Sequence, residues 1–140
     1  MSPATRTLEG GCQCGRVRYR IAGASEGLVI CHCSECQRQT GSAFGMSLIV
    51  RKDDFSLLQG ELKITTRTAD SGRRLNGHFC PDCGVRIYHA VAAVPDKIRV
   101  RPGTLDDRSW LRPDKQIWVR SRVPWIADEL KQIPAHSGQA

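Results

Sequence analysis

The sequence predicts a mainly β domain with one or two short helices. Short stretches alternate apolar and polar residues, turn-forming residues separate them, and apolar residues rarely recur at helical spacing. The clearest strand is RVRYRI, residues 16–21, in which Val17, Tyr19 and Ile21 alternate with Arg16, Arg18 and Arg20. That period-2 pattern marks a strand with one dry and one wet face. Similar stretches are GLVIC (27–31), SAFGMSLIV (42–50), ELKITTRT (61–68), RIYHAV (86–91), KIRVR (97–101) and QIWVRSR (116–122). Gly60, Pro95, Asp96, Pro102, Gly103, Pro113 and Asp114 supply turns between them.

Helical signals are few. Ser34 is placed to cap a short helix that runs through Gln37 to Thr40 and is closed by Gly41, and KDDF (52–55) fits a single turn. ADELKQ (127–132) is compatible with a helix that ends before Pro134, and residues 135–140 read as a frayed tail. With no internal repeat and no linker, the expectation is one domain over 1–140, with a core of about 8–126 and a C-terminal tail, 127–140. A chain of this length buries about two-thirds of its unfolded surface, so a metal would add to a core and not replace one.

Composition narrows the function classes. No apolar run approaches the roughly 20 residues of a membrane span, and the longest stretch, Met46–Val50, is strand-sized. The opening MSPATRTLEGG lacks the apolar middle of a secretory signal, so a cytoplasmic location is expected. Seven cysteines, an odd number, then point to reduced thiols. The formal charge of +7 assumes neutral thiols; seven thiolates holding two divalent ions bring it to +4. That weakens the case for a nucleic-acid partner, as do the scattered cations and the interleaved Asp53, Asp54, Asp106, Asp107 and Asp114.

The cysteines form three groups: Cys12 and Cys14; Cys31, Cys33 and Cys36; Cys80 and Cys83. On an extended strand, residues i and i+2 project from one face about 6.5 to 7 Å apart, so both thiolates of a C-x-C can turn onto one ion. C-x2-C is a chelating pair as well, and Gly84 follows Cys83 where a tight ligand turn favours positive φ. Two pairs make one closed four-thiolate site from Cys12, Cys14, Cys80 and Cys83. Cys31, Cys33 and Cys36 then stand as three ligands with one position left for water or substrate, the pattern of a working zinc. Cys36 falls in the first turn of the short helix, where peptide N–H groups favour a thiolate.

Other readings stay open. His32, His78 or His89 could complete the triplet into a second closed site, one C-x2-C could be a redox dithiol, and a lone cysteine is often a small buried apolar residue. His32 lies between two ligands and should face away from them, as a core residue or a support for the ligands. Trp110, Trp118 and Trp125 read as core and rim aromatics. Arg16, Arg18 and Arg20 read as a solvated strand face, although a row of arginines can also hold a carboxylate or phosphate.

GGCQCGRVRY (10–19), CHCSECQRQTGSAF (31–44), FCPDCG (79–84) and PGTLDD (102–107) together resemble the glutathione-dependent formaldehyde-activating enzyme family, which includes the centromere protein V relatives. The likeness covers roughly residues 8–126. It implies a β-tent zinc-binding fold of small antiparallel sheets, and two Zn2+ ions per chain: a structural one on Cys12, Cys14, Cys80 and Cys83, and an active one on Cys31, Cys33 and Cys36. It also implies a carbon-sulfur lyase, classed by the reverse direction, that joins formaldehyde to the thiol of glutathione to give S-hydroxymethylglutathione. On that reading Ser34, Gln37, Arg38, Thr40, Gly41 and Ser42 line the mouth of the active site, and Gln116 stands where many relatives carry a histidine before the Ile-Trp pair. The competing expectation is a non-catalytic zinc-stabilised module that binds nucleic acid or a protein partner. A monomer and a homodimer are equally compatible with the sequence.

Overall fold

In the computed structural model, residues 6–126, 133–137 and 139 are described. Alternation in RVRYRI becomes β2 (Arg18–Ile21), with Tyr19 and Ile21 fully buried and Val17 just before it buried too. β2 lies between β1 (Leu8–Gly11) and β5 (Phe55–Gln59) in a three-stranded antiparallel sheet. Gly10 sits opposite Tyr19, whose ring and hydroxyl occupy the space a side chain there would need. Tyr19 also stacks on Phe55 at 5.2 Å and hydrogen-bonds Thr104 Oγ1 at 2.7 Å.

The second sheet has β3 (Gly27–Cys31), β4 (Gly45–Arg51), β6 (Lys63–Thr68), β7 (Arg74–Phe79), β8 (Arg86–Val91), β9 (Lys97–Val100) and β10 (Lys115–Ile117) in the order β10-β3-β4-β9-β8-β7-β6. Its β4–β9, β9–β8, β8–β7 and β7–β6 pairs are antiparallel. Leu48, Val50, Ile87, Ile98 and Val100 from this sheet join Val17, Tyr19, Ile21 and Leu105 in one core cluster. Each such burial contributes about 1.5–3 kcal/mol, so a metal is not the core's substitute.

The chain forms two compact units. One runs up to Val29 and resumes over Met46–Lys115; the other is Ile30–Gly45 with the chain from Gln116 onward. The first holds the core cluster. The second holds α1 (Ser34–Thr40) and the ends of β3 and β10, where His32 N–H donates to Ile117 O at 3.0 Å. Among the described residues, no helix is long and apolar enough to cross a membrane.

Several local expectations need correction. The QIWVRSR strand stops at Ile117, because Trp118 takes a left-handed backbone (φ 56) and Val119–Ser121 form a 3-10 turn. SAFGMSLIV enters its strand only at Gly45, since α1 and its closing turn take up the residues before. β1, β5 and β7 lie outside the strands read from the sequence, and KDDF does form a turn over Lys52–Asp54. Trp110 packs against the core, whereas Trp118 and Trp125 are 51% and 40% exposed. The ADELKQ segment lies outside the described residues.

Candidate functional site

The four-cysteine cluster is built from two turns of similar form. Cys12 N–H donates to Val17 O (3.1 Å) and Gly15 N–H to Cys12 O (3.2 Å); Cys80 N–H donates to Val85 O (2.9 Å) and Gly84 N–H to Cys80 O (2.8 Å). Gly15 and Gly84 both hold positive φ, 83 and 81, so each turn reverses directly after its second cysteine. Cys12-Gln13-Cys14 is thus a turn after β1 and not the extended strand expected for C-x-C.

All four sulfurs lie within 4.8 Å of one another, with Cys12 Sγ to Cys14 Sγ at 3.5 Å and Cys14 Sγ to Cys80 Sγ at 3.8 Å. A tetrahedral zinc with bonds of about 2.3 Å places its sulfurs about 3.8 Å apart, so the donor set fits that ion in chemistry and spacing. Backbone donors already favour the anionic form. The Val85 N–H lowers the Cys83 thiol to about 6; at Cys12 burial pulls upward, but the Val17 N–H, 3.3 Å from Cys12 Sγ, together with the contacts to Cys14 and Cys80 outweighs it and lowers the thiol. The Arg16 N–H pulls Cys14 downward, but its burial and its contacts with Cys12, Cys80 and Cys83 win and raise it to about 11.

The three-cysteine cluster lies at the end of β3 and the start of α1. Cys31 closes the strand and Cys33 is the helix N-cap, its Sγ accepting Cys36 N–H at 3.3 Å. The cap is therefore Cys33 and not Ser34, which forms the first helical residue and is exposed. The three sulfurs lie within 4.8 Å, and among the described residues no histidine, fourth cysteine or carboxylate joins them.

Protons are shared unevenly here. A hydrogen bond from Cys36 drives Cys31 down to about 5, while that same bond to Cys31, together with burial, raises Cys36. Cys36 lies in the first turn of α1 as the sequence suggested, and its contact with Cys31 makes it the donor of that pair.

Three side chains brace this cluster. His32 is buried, with Nε2 2.7 Å from Gln116 Oε1 and its ring edge on Phe44 at 5.8 Å. Gln37 Nε2 donates to His32 O (2.9 Å) and Ser121 O (3.0 Å), so both of its amide hydrogens hold backbone. Thr40 Oγ1 donates to Cys36 O at 2.8 Å and accepts Ser42 N–H at 3.2 Å. Arg38, Thr40, Gly41 and Ser42 are exposed around the end of α1. The polar role of Gln116 and the clamp made by Gln37 are not visible in the sequence.

Elsewhere the candidates are otherwise engaged. His78 stacks on Tyr88 at 4.2 Å, and burial lowers its pKa. Arg18 pairs with Asp106, Arg20 with Glu9, and Arg16 with Asp82 at 3.3 Å, so this arginine face is met by the chain's own carboxylates.

The chain is similar to known proteins. The family model "Glutathione-dependent formaldehyde-activating enzyme" matches residues 7–121. The crystal structure of a Rhodobacter sphaeroides protein aligns with a TM-score of 0.60 at 20% identity, covering 77% of this chain and 98% of that one, a likeness of fold. Because the family model spans most of its length, the chain belongs to the glutathione-dependent formaldehyde-activating enzyme family.

Proposed function

We propose that this protein adds a small thiol of the glutathione class to an aldehyde such as formaldehyde, as a carbon-sulfur lyase acting in reverse, at Cys31, Cys33 and Cys36. The observation that carries the reading is a triplet of sulfurs within 4.8 Å that no fourth donor joins among the described residues. The closed four-cysteine cluster would hold a structural zinc and the triplet a second one. At the triplet, a bound zinc would supply an electrophilic centre that favours the thiolate form and draws thiol and aldehyde together.

The chain's own residues supply the frame. Cys33 joins the triplet to the helix start through its cap bond, and Gln37 ties that helix to the backbone at His32 and Ser121. Arg38 and Ser42, exposed near the helix end, would meet a substrate carboxylate. In the addition, the substrate sulfur bonds to the aldehyde carbon as the carbonyl π bond opens, and the proton lost by the thiol goes to the new hydroxyl. Seven unpaired thiols suit a reducing, cytoplasmic setting.

The test is zinc stoichiometry on anaerobically purified protein, wild type and Cys33→Ala, with a glutathione titration of each. Two ions falling to one, with thiol binding lost, supports the reading. A single ion in both proteins and no thiol binding in either sinks it.

A further inference from the structure

Trp118 holds a backbone that its side chain does not favour. Among the described residues it is the one non-glycine with a positive φ, at φ 56 and ψ 39. A bulky side chain is crowded by its own backbone there, and glycine or asparagine takes the same conformation at less cost. Core packing does not explain the choice, because Trp118 is 51% exposed. An exposed tryptophan on a relaxed backbone needs no special account. One held in the left-handed region persists only where its surroundings impose that conformation, and such residues gather at functional sites.

The surroundings here are the segment that carries the triplet. His32, between Cys31 and Cys33, donates its N–H to Ile117 O at 3.0 Å, and its Nε2 lies 2.7 Å from Gln116 Oε1. Gln37, the residue after Cys36, donates from Nε2 to Ser121 O at 3.0 Å. Ser121 N–H in turn donates to Trp118 O at 3.1 Å and closes the turn between these two anchors. Trp118 thus follows directly on the backbone that pairs with His32, at the rim of the triplet, and all of these residues belong to the second compact unit.

The ring also carries a charge at its face. Arg120 Cζ sits 4.8 Å from the centroid of the Trp118 ring, a cation–π contact. The ion pairs among the described residues run through Arg6, Arg16, Arg18, Arg20 and Lys97, and none of them engages Arg120. A flat apolar surface edged by a guanidinium suits a molecule that has a planar amide close to a carboxylate. A bare alkyl thiol presents neither group.

We infer that Trp118 and Arg120 form a recognition rim beside Cys31, Cys33 and Cys36 that selects a carboxylate-bearing peptide thiol over a simple alkyl thiol. This rests on the reading of the triplet as a thiol site and adds what decides between thiols there. The indole packs against an amide plane of the peptide, and the guanidinium takes a carboxylate. The left-handed turn keeps the ring at the rim, where a relaxed strand would carry it onward.

The experiment measures the dissociation constants of glutathione and 2-mercaptoethanol by calorimetry on the zinc-loaded full chain. The quantity read is the preference, the ratio of the two constants. Trp118→Asn, whose side chain tolerates the left-handed region, should reduce that preference about tenfold or more without lowering zinc content or the unfolding temperature. Arg120→Gln, at an exposed position, should reduce it about threefold or more, and it carries the test if the first variant loses its fold. In the wild type, glutathione should also shift the indole N–H signal of Trp118 in NMR spectra.

An unchanged preference in both variants overturns the inference, as does an equal loss of both thiols, which would make Trp118 a support of the cysteines and not a contact of the substrate. A Trp118→Asn variant that changes the oligomeric state and not the preference places the ring between copies of the chain, and also overturns it. If the preference is unchanged while Cys33→Ala still abolishes glutathione binding, the proposed function stands without the rim. If the wild type binds neither thiol, the thiol site and the rim fall together.

Discussion

His32 Nε2 and Gln116 Oε1 lie 2.7 Å apart, and this bond ties the residue between two sulfur donors to the start of the C-terminal segment. Since an amide oxygen can only accept, Nε2 carries the proton. Replacing Gln116 by Leu keeps the volume and removes the acceptor, leaving a buried N–H unpaired. The expected loss is about 1–3 kcal/mol, read from urea unfolding of samples matched for zinc content.

The helix between the sulfurs predicts an unequal pair of substitutions. Ser34→Ala should change stability by less than about 0.5 kcal/mol, because Ser34 does not provide the cap. Gly41 ends the helix at φ 64 with its N–H on Gln37 O at 2.8 Å, so Gly41→Ala should cost about 1 kcal/mol. Thermal unfolding of the two variants side by side checks the order; equal losses would contradict the Cys33 cap.

Removing one member of the closed cluster should be costlier. Cys80 is fully buried and lies 3.8 Å from Cys14. Cys80→Ser is expected to lower bound zinc by one ion per chain and to reduce the unfolding temperature sharply, and a chelator should reproduce the drop in the wild type. A variant that keeps both its zinc and its unfolding temperature would refute the structural assignment of these four thiols.

His89 predicts a pH dependence. Burial, followed by Arg101, Arg99, Arg86 and Arg67, lowers its pKa from 6.5 to about 3. Above pH 6.5 the ring is neutral folded and unfolded, and contributes no slope. As pH falls below 6.5 the unfolded chain takes up a proton that the folded chain refuses, so stability falls until about pH 3. The slope approaches roughly 1.4 kcal/mol per pH unit for a single proton. His89→Phe in chloride buffer should flatten the decline relative to wild type between pH 6 and about 5, which denaturant melts at several pH values would show.

What could be read along the chain was local. Val17, Tyr19 and Ile21 announce a strand because a pleat alternates faces whatever else surrounds it, and GLVIC and RIYHAV became strands over the same residues. The cysteine pairs were legible for a similar reason: a two- or three-residue spacing is itself the geometry of chelation.

β1, β5 and β7 carry no such pattern. LEGG holds two glycines, FSLLQ is exposed along most of its length, and RLNGHF mixes polar groups with Gly77, so their pairing partners and not their own periodicity make them strands. QIWVRSR alternates well enough, yet Trp118 leaves the extended region because the backbone turns there into the 3-10 segment.

Tertiary structure alone decided which distant side chains meet. Cys14 approaches Cys80 across 66 residues, and Gln116 reaches His32 across 84. Arg67, Arg86, Arg99 and Arg101 are spread through three strands and a loop, and only the β6–β9 register, irregular between His78 and Phe79, brings their charges to bear on His89. By itself the sequence determined where chelating and strand-forming segments lie, because those depend on neighbours a few residues away. Which charges and hydrogen bonds converge depends on strand order and register, which arise from burying the whole core at once.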